Sequence, residues 1–221
     1  MSDSTSKAAT PSEAGRLFRD GKLQVEHDWT WSLVPKLGDL ALNNEIEAYN
    51  LPLGCVSHLY REIAARRPGA ISKVGMHTFV DPREQGGKLN SVTTEDLVEL
   101  IDIGGEEWLR YKAFPINVAF IRGTTCDPNG NITMEREALT LDNLAAAMAA
   151  KNSRGFVIAQ VERIAAADSL NPREVQIPGI LVDCVVLADA KNHVQTLRHT
   201  VQPCLLGPAA RAPRSHRSHG A

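Results

Sequence analysis

Between about residue 44 and residue 188, apolar runs of strand length alternate with stretches of helical periodicity, and this alternation leaves few architectures open. Ile116-Asn117-Val118-Ala119-Phe120-Ile121 has the near-continuous apolar character of a strand buried on both faces. A helical stretch follows, capped by Thr140 and running through Ala150 with Leu141, Leu144, Ala145 and Met148 on one side. The next buried run is Phe156-Val157-Ile158-Ala159-Gln160-Val161. A helix joining two buried strands makes a right-handed crossover in a parallel sheet. The expected fold class is therefore α/β, with an open, mostly parallel sheet and flanking helices.

Further elements flank this unit. Ile46, Ala48 and Leu51 lie in a short extended run ending at Pro52. Val56, Leu59, Tyr60, Ile63 and Ala64 then form an apolar stripe at helical spacing, closed by Arg66, Arg67, Pro68 and Gly69. Ile71 to Val74 reads as a second short strand, and Thr93-Thr94-Glu95-Asp96 resembles the start of a short helix carrying Leu97, Val98 and Ile101. Ile180 to Leu187, after Pro178-Gly179, is expected to add the last strand. There is no internal repeat. The first fifteen and last fifteen residues lack periodicity and read as disordered.

A formal charge of -2 gives no overall basic field, which argues against nucleic-acid or anionic-membrane binding as the main task. The longest apolar stretches, Leu144 to Ala150 and Cys184 to Ala188, fall far short of the ~20 residues of a membrane helix. With no apolar stretch after its first charges, the N-terminus does not read as a secretory signal, so the expected compartment is cytoplasmic. Cys55, Cys126, Cys184 and Cys204 are widely spaced without a C-x-x-C pair, the pattern of reduced structural thiols.

The motifs of phosphate and metal chemistry fail on inspection. Gly86-Gly87-Lys88 lacks the earlier glycine and the following hydroxyl of a phosphate loop. Asp127-Pro128-Asn129-Gly130-Asn131 has Ile132 where a calcium loop needs glycine, and reads as a tight hairpin turn. Asn131-Ile132-Thr133 is formally a glycosylation sequon that a cytoplasmic chain never uses. His216 and His219 lie in a tail without carboxylate or thiolate companions, so no metal site is expected. His58 falls in the amphipathic helix and His77 in a Gly-flanked loop, with no nucleophile placed to make a triad of either.

Three strings narrow the reading: Glu47-Ala48-Tyr49-Asn50-Leu51-Pro52-x-Gly54, Gly75-x-x-Thr78-Phe79-Val80-Asp81-Pro82 and Tyr111-Lys112-Ala113-Phe114-Pro115. They are followed by Ile121-Arg122-Gly123-Thr124-Thr125-x-Asp127-x-x-Gly130-Asn131-Ile132-Thr133, Ala149-Ala150-Lys151-Asn152-Ser153, Gln160-Val161-Glu162-Arg163 and Ile177-Pro178-Gly179-Ile180-Leu181-Val182-Asp183. In their joint order these strings resemble the family I coenzyme A transferases, the fused propionate or acetate CoA-transferases above all. The resemblance runs from about Leu33 to Thr196. It divides the chain into a polar N-terminal segment (1–32), an incomplete first-half CoA-transferase-like α/β domain (33–196) and a basic tail (197–221).

The resemblance implies CoA transfer between a short-chain acyl-CoA and a carboxylate acceptor by a ping-pong route through a glutamyl thioester. CoA is then a substrate, with no cofactor or metal. The family's nucleophilic glutamate belongs to the second half, in a Ser-Glu-Asn-Gly type segment that this sequence does not contain. Glu47, Glu106 and Glu162 match no such motif, and no catalytic residue is assigned. The substrate-lining residues implied are Leu53, Gly54, Thr78, Phe79, Val80 and Asp81. The loop from Thr78 to Asp81 reads equally as a tight turn covering the sheet end. The implied partners are acyl-CoA, a small carboxylate, and a second-half chain or another copy of this one. A non-catalytic remnant or assembly partner is the alternative, and a sugar-phosphate isomerase-like enzyme is a third use of such a scaffold.

The sequence departs from the family pattern in four places. Leu53 stands where relatives carry a glutamine able to donate to the thioester oxygen, and leucine cannot donate. His77 occupies the place of a second loop glycine. Asp28-Trp29-Thr30-Trp31 replaces a Gly-His-Trp-Gly-like run, and a Gly-rich strand turn is missing near the start. From Gln195 onward one permissible codon choice, read with a single C removed, gives Gln-Thr-Phe-Ala-Thr-Gln-Tyr-Asn-Pro-Ala-Tyr-Ser, close to the family's continuation. Resequencing the gene is expected to find a strand that a one-base change converts to that reading; a strand that no such change converts overturns the frame-shift expectation.

Overall fold

The computed structural model describes Ala8–Ala9 and residues 35–193. Chain order is β1 (Ala8–Ala9), α1 (Pro35–Leu42), α2 (Leu53–Ala64), β2 (Gly69–Ser72), β3 (Val98–Ile103), β4 (Glu106–Lys112) and β5 (Val118–Arg122). After these come β6 (Thr125–Cys126), β7 (Ile132–Thr133), α3 (Asn143–Asn152), β8 (Phe156–Val161), β9 (Arg163–Ile164), β10 (Val175–Ile177) and β11 (Cys184–Leu187). Single 3-10 turns occur at Gly179–Leu181 and Ala190–Asn192. The expectations for the two ends, Cys204, His216 and His219 lie outside the described residues, apart from the short β1.

Residues 120–144 and 157–193, with β1, form one compact unit. Its main sheet has the order β1-β11-β8-β5, and both β1/β11 and β11/β8 are parallel, with Cys184 opposite Ile158 and Leu187 opposite Val161. The α/β class and its parallel sheet are present as the strand–helix–strand pattern implied. A smaller sheet, β10-β7-β6-β9, is built on the hairpin expected at Asp127–Asn131. There the Asp127 carboxylate accepts the Asn131 backbone N–H and side-chain amide, both at 2.9 Å, while Gly130 supplies the left-handed φ of 88° that closes the turn.

Residues 35–119 and 145–156 form the second unit. The antiparallel sheet β2-β4-β3 carries Leu109, Tyr111, Ala70 and Val98 into a core completed by Cys55, Leu59 and Ile63 of α2 and by Ala149 of α3. Gly69 lies against the Tyr111 carbonyl and Gly155 against those of Ile116 and Asn117, so closely that a Cβ would collide with backbone. In these places glycine is required for the close approach of two backbone segments, not for flexibility.

Several expectations need correction. Leu97, Val98 and Ile101 are not on a helix: Val98–Ile103 is a strand paired with β4 through Gly104-Gly105, at φ 65° and 84°. The signal was present, since Gly-Gly between two alternating runs is a hairpin pattern, and Thr93 instead uses its hydroxyl to accept the Ala48 N–H at 2.7 Å. β2 begins two residues earlier than Ile71. β5 is buried on one face only, because Phe120 is 65% exposed between buried Ala119 and Ile121. On α3 the buried residues are Ala145, Ala147, Ala149 and Ala150, while Leu144 and Met148 are exposed; small side chains give the closer approach. Thr140 does not cap that helix by its hydroxyl; its carbonyl accepts the Asn143 amide. The last strand starts only at Cys184, after a 3-10 turn that leaves Ile180 83% exposed.

All three α-helices among the described residues end in one hydrogen-bond pattern. After α1, α2 and α3 the residues Asn44, Arg66 and Arg154 take φ of 59°, 56° and 62°. Each donates its N–H to the carbonyl three residues back, and the following residue donates to the carbonyl five back, as Arg66 to Ile63 and Arg67 to Glu62. This is the Schellman motif, whose left-handed position favours glycine. Arg66→Gly is therefore expected to raise stability by about 0.5–1 kcal/mol in urea unfolding, the relief of a left-handed Cβ less the added unfolded-state entropy. A loss of stability overturns this account of the cap.

Candidate functional site

The implied lining residues fall in two stretches of the second unit. Leu53 and Gly54 open α2 directly after Pro52, whose extended backbone (φ -61°, ψ 125°) ends the incoming segment. The Pro52 carbonyl accepts the N–H groups of Cys55 and Val56 at 2.8 and 3.1 Å, so the first helical turn closes on a residue with no side-chain cap. Leu53 is 51% exposed, and nothing lies within 4 Å of where a Gly54 Cβ would stand. The rim of this helix start is open and apolar.

Thr78, Phe79, Val80 and Asp81 belong to a run of turns after β2. The Met76 N–H donates to the Lys73 carbonyl, Thr78 to Gly75 and Asp81 to Thr78, with Gly75 and His77 at left-handed φ of 98° and 58°. Phe79 is 44% exposed, and Thr78 and His77 are also exposed. Val80 and Asp81 are not available as lining: both are buried, Asp81 to 1% exposure. The Asp81 carboxylate accepts the His77 N–H at 2.9 Å, the Arg83 N–H at 3.1 Å, and Arg83 Nε and Nη2 at 2.9 and 2.8 Å. Arg83 reaches on to Glu107 of β4 at 3.0 Å. The Arg83 fork holds the Asp81 carboxyl far below the usual carboxylate range, against the opposing effect of burial.

Two other ties fix the loop. The Tyr111 hydroxyl donates to the Val74 carbonyl at 2.6 Å, and a Cβ on Gly75 would stand 2.6 Å from that oxygen. Burial, together with neighbouring Cys55, pushes the Tyr111 phenol above its ordinary range, so it keeps the proton it donates to Val74. The Gly87 N–H donates to the Phe79 carbonyl at 3.0 Å, and the Gly87 carbonyl accepts the Asn50 N–H at 2.8 Å. Through Gly87, whose φ of 75° only glycine adopts readily, the Thr78–Phe79 turn is joined to the segment that leads into Leu53. Arg83, Tyr111 and Gly87 were missed from the sequence; for Arg83 the run Asp-Pro-Arg after an apolar turn was the one available signal.

In the other unit, Glu135 accepts the hydroxyls of Thr125 and Thr133 and the guanidinium of Arg163. Burial would raise the Glu135 carboxyl, but the two hydroxyls and Arg163 leave it below its usual range. Arg136 pairs with Glu162 and Arg122 with Glu137, so this cluster neutralises itself. Of the three glutamates left unassigned as nucleophile, Glu162 is held in that pair, Glu106 binds Lys73 at 2.7 Å and Glu47 is half-buried. His58 is exposed on α2. No group of three His, Cys, Asp or Glu side chains among the described residues could hold a metal, and no described helix is long and apolar enough to cross a membrane.

Because the Asp81 pKa is depressed in the folded state, its stabilising contribution is complete above the unfolded value of about 4 and is lost as pH falls below it. Asp81→Asn is expected to cost about 2 kcal/mol at pH 7 and to flatten the fall in stability below pH 4, read by urea unfolding across pH. An unchanged acid limb in the variant overturns the assignment.

The comparisons with known proteins agree with one another. The caffeate CoA-transferase of Acetobacterium woodii is 56% identical over 156 residues, covering 71% of this chain and 30% of that protein. The solved thioester complex with CoA of the acyl-CoA transferase YdiF from Escherichia coli O157:H7 superposes with a TM-score of 0.71 at 44% identity, covering 81% of this chain and 35% of that one. A more distant relative, the alpha subunit of the acetoacetyl-CoA:acetate/butyrate CoA transferase of Clostridium acetobutylicum, is 28% identical over 69% of this chain and 61% of its own length. The chain thus spans about a third of the longer relatives. The family model described as coenzyme A transferase matches residues 9–188, beginning well ahead of residue 33, and with these identities it establishes that the chain belongs to the coenzyme A transferase family.

Proposed function

We propose that this chain forms one wall of an acyl-CoA and carboxylate site in a CoA-transferase, and that transfer requires a second-half polypeptide carrying the nucleophilic glutamate. The observation that supports this most directly is the joined rim of exposed Leu53, Thr78 and Phe79, tied through Gly87 and held from beneath by buried Asp81. In the complete reaction a glutamate oxygen attacks the thioester carbon and expels CoA as thiolate, leaving an acyl-glutamyl anhydride. The thiolate then attacks the glutamyl carbonyl, the acyl group leaves as carboxylate, and the glutamyl thioester passes CoA to the incoming acid by the reverse steps. The wall formed by this chain contributes position and an apolar surface. The N–H groups of Leu53 and Gly54, at the open start of α2, face no ladder partner and are the donors this segment can offer to a developing oxyanion.

A separately encoded alpha subunit among the relatives supports a two-chain arrangement here. The runner-up is a non-catalytic assembly partner, favoured by the exposed Phe120, Leu139 and Ile180, which a packed neighbour would cover. Family membership leaves the isomerase-like reading without support. The location proposed is the cytoplasm, and no cofactor is invoked.

The purified chain alone is expected to exchange no CoA between acetyl-CoA and labelled propionate, and to give no borohydride-trapped adduct at Glu47, Glu106 or Glu162. Co-expression with a second-half CoA-transferase polypeptide is expected to restore exchange, and Leu53→Gln to raise it about tenfold, a fraction of the ~3 kcal/mol that one oxyanion donor is worth. A trapped glutamyl adduct on the single chain overturns the proposal, and an inactive but stable two-chain complex selects the assembly-partner reading.

A further inference from the structure

We infer that His77 is a specificity-determining residue, its imidazole contacting a polar group on the acyl portion of the ligand; this rests on the CoA-transferase reading above. His77 is the third residue of the turn closed by Thr78 N–H to Gly75 carbonyl, with φ of 58°. Such a position favours glycine. The turn just before it, closed by Met76 N–H to Lys73 carbonyl, does place glycine there, Gly75 at φ 98°. Asn44, Arg66 and Arg154 share the left-handed conformation because they end helices, whereas His77, like Leu141 and Asp168, has no helix to end. Its backbone is held by the His77 N–H bond to Asp81, itself buried and gripped by Arg83. A strained side-chain-bearing residue, over-determined by its surroundings on an exposed loop, points to a use for that side chain.

The polar groups of this stretch narrow the use. From Lys73 to Asp81 the polar side chains are Lys73, His77, Thr78 and Asp81. Lys73 is engaged by Glu106 at 2.7 Å and lies 4.7 Å over the Trp108 ring. The Thr78 hydroxyl donates to the Gly75 carbonyl at 2.7 Å and accepts the Val80 N–H at 3.3 Å. Asp81 is committed to His77 and Arg83. The His77 imidazole is exposed and has no side-chain partner among the described residues, two residues before exposed Phe79, whose carbonyl is joined through Gly87 to the segment leading into exposed Leu53. The ligand this surface fits has an apolar acyl body carrying one hydrogen-bonding group, such as a hydroxyl. A site built to bond such a group discriminates strongly against the analogue lacking it.

The test measures binding of 3-hydroxybutyryl-CoA and butyryl-CoA to the full chain by ligand-observed NMR titration, alongside thermal unfolding. The wild type is expected to prefer the hydroxylated ligand by about fivefold or more. His77→Gly is expected to raise Tm by about 2 °C, through relief of the left-handed residue, and to abolish the preference; His77→Asn, which tolerates the conformation and keeps a donor, is expected to retain most of it. A structural role alone would move stability and affinity for both ligands together. A preference that survives in His77→Gly, or equal affinities in the wild type, overturns the inference while leaving the CoA-transferase reading standing. Failure of the wild type to bind either acyl-CoA also overturns the inference, while the CoA-transferase reading stands or falls on the two-chain exchange assay.

Discussion

A carboxylate taken out of water must find a donor for each of its lone pairs, and the shape of the exposed rim follows from how Asp81 meets that demand. Its donors are two backbone N–H groups within two to four residues and the fork of Arg83, so satisfying the charge forces the chain to fold back on itself from His77 to Arg83. Phe79, at the outside of that fold, is left facing solvent. The Arg83 contact with Glu107 is half-exposed and adds little energy by itself, but it aligns the loop with the β3–β4 hairpin. Tyr111 performs the matching task from the core side, filling space beneath Gly75 while its hydroxyl fixes Val74. Packing and hydrogen bonding therefore act on the same few residues of loop, which is why so exposed a segment has a defined course.

Much of the fold could be read from the residues, and the failures share a cause. β8 was bounded correctly because its apolar run is short, β-branched and flanked by Gly155 and Glu162. The α2 stripe was visible because its buried side chains are large. On α3 the same logic failed: alanines face the core and leucine and methionine face outward, so weighting residues by hydrophobic size inverted the helix. Around Thr93 the helix-start signal was overridden by tertiary context, the bond from Ala48 forty-five residues away, which no local window contains. For the candidate site, the family resemblance named Leu53, Gly54 and the stretch Thr78 to Asp81, and burial separates those that face out from those that hold the loop. Sequence order cannot distinguish Phe79 from Asp81 in that respect; the carboxylate geometry does.

The family to which the chain belongs also frames what its fraction of the relatives' length means. A parallel sheet with Phe120 exposed beside buried Ala119 and Ile121 has one face fitted for water poorly. Each unit has a buried core: Ile132, Val157, Val161, Ile177 and Val182 in the first, and Leu59, Ile63, Val98, Leu109 and Tyr111, from one helix and a three-stranded sheet, in the second.

The three matching helix ends have a further consequence, for ionic strength. After α2 the last turn and cap carry Arg61, Arg66 and Arg67, and after α3 they carry Lys151 and Arg154, cations set beside carbonyl groups at the negative end of the helix dipole. The left-handed backbone at Arg66 and Arg154 is a steric cost that salt does not touch, whereas the charge–dipole attraction that offsets it decays over about 10 Å at 0.1 M salt. Asn44, which caps α1 in the same geometry, carries no charge. Added salt should thus loosen the ends of α2 and α3 before that of α1, making the order in which these helices fray a property of the buffer as well as of the sequence.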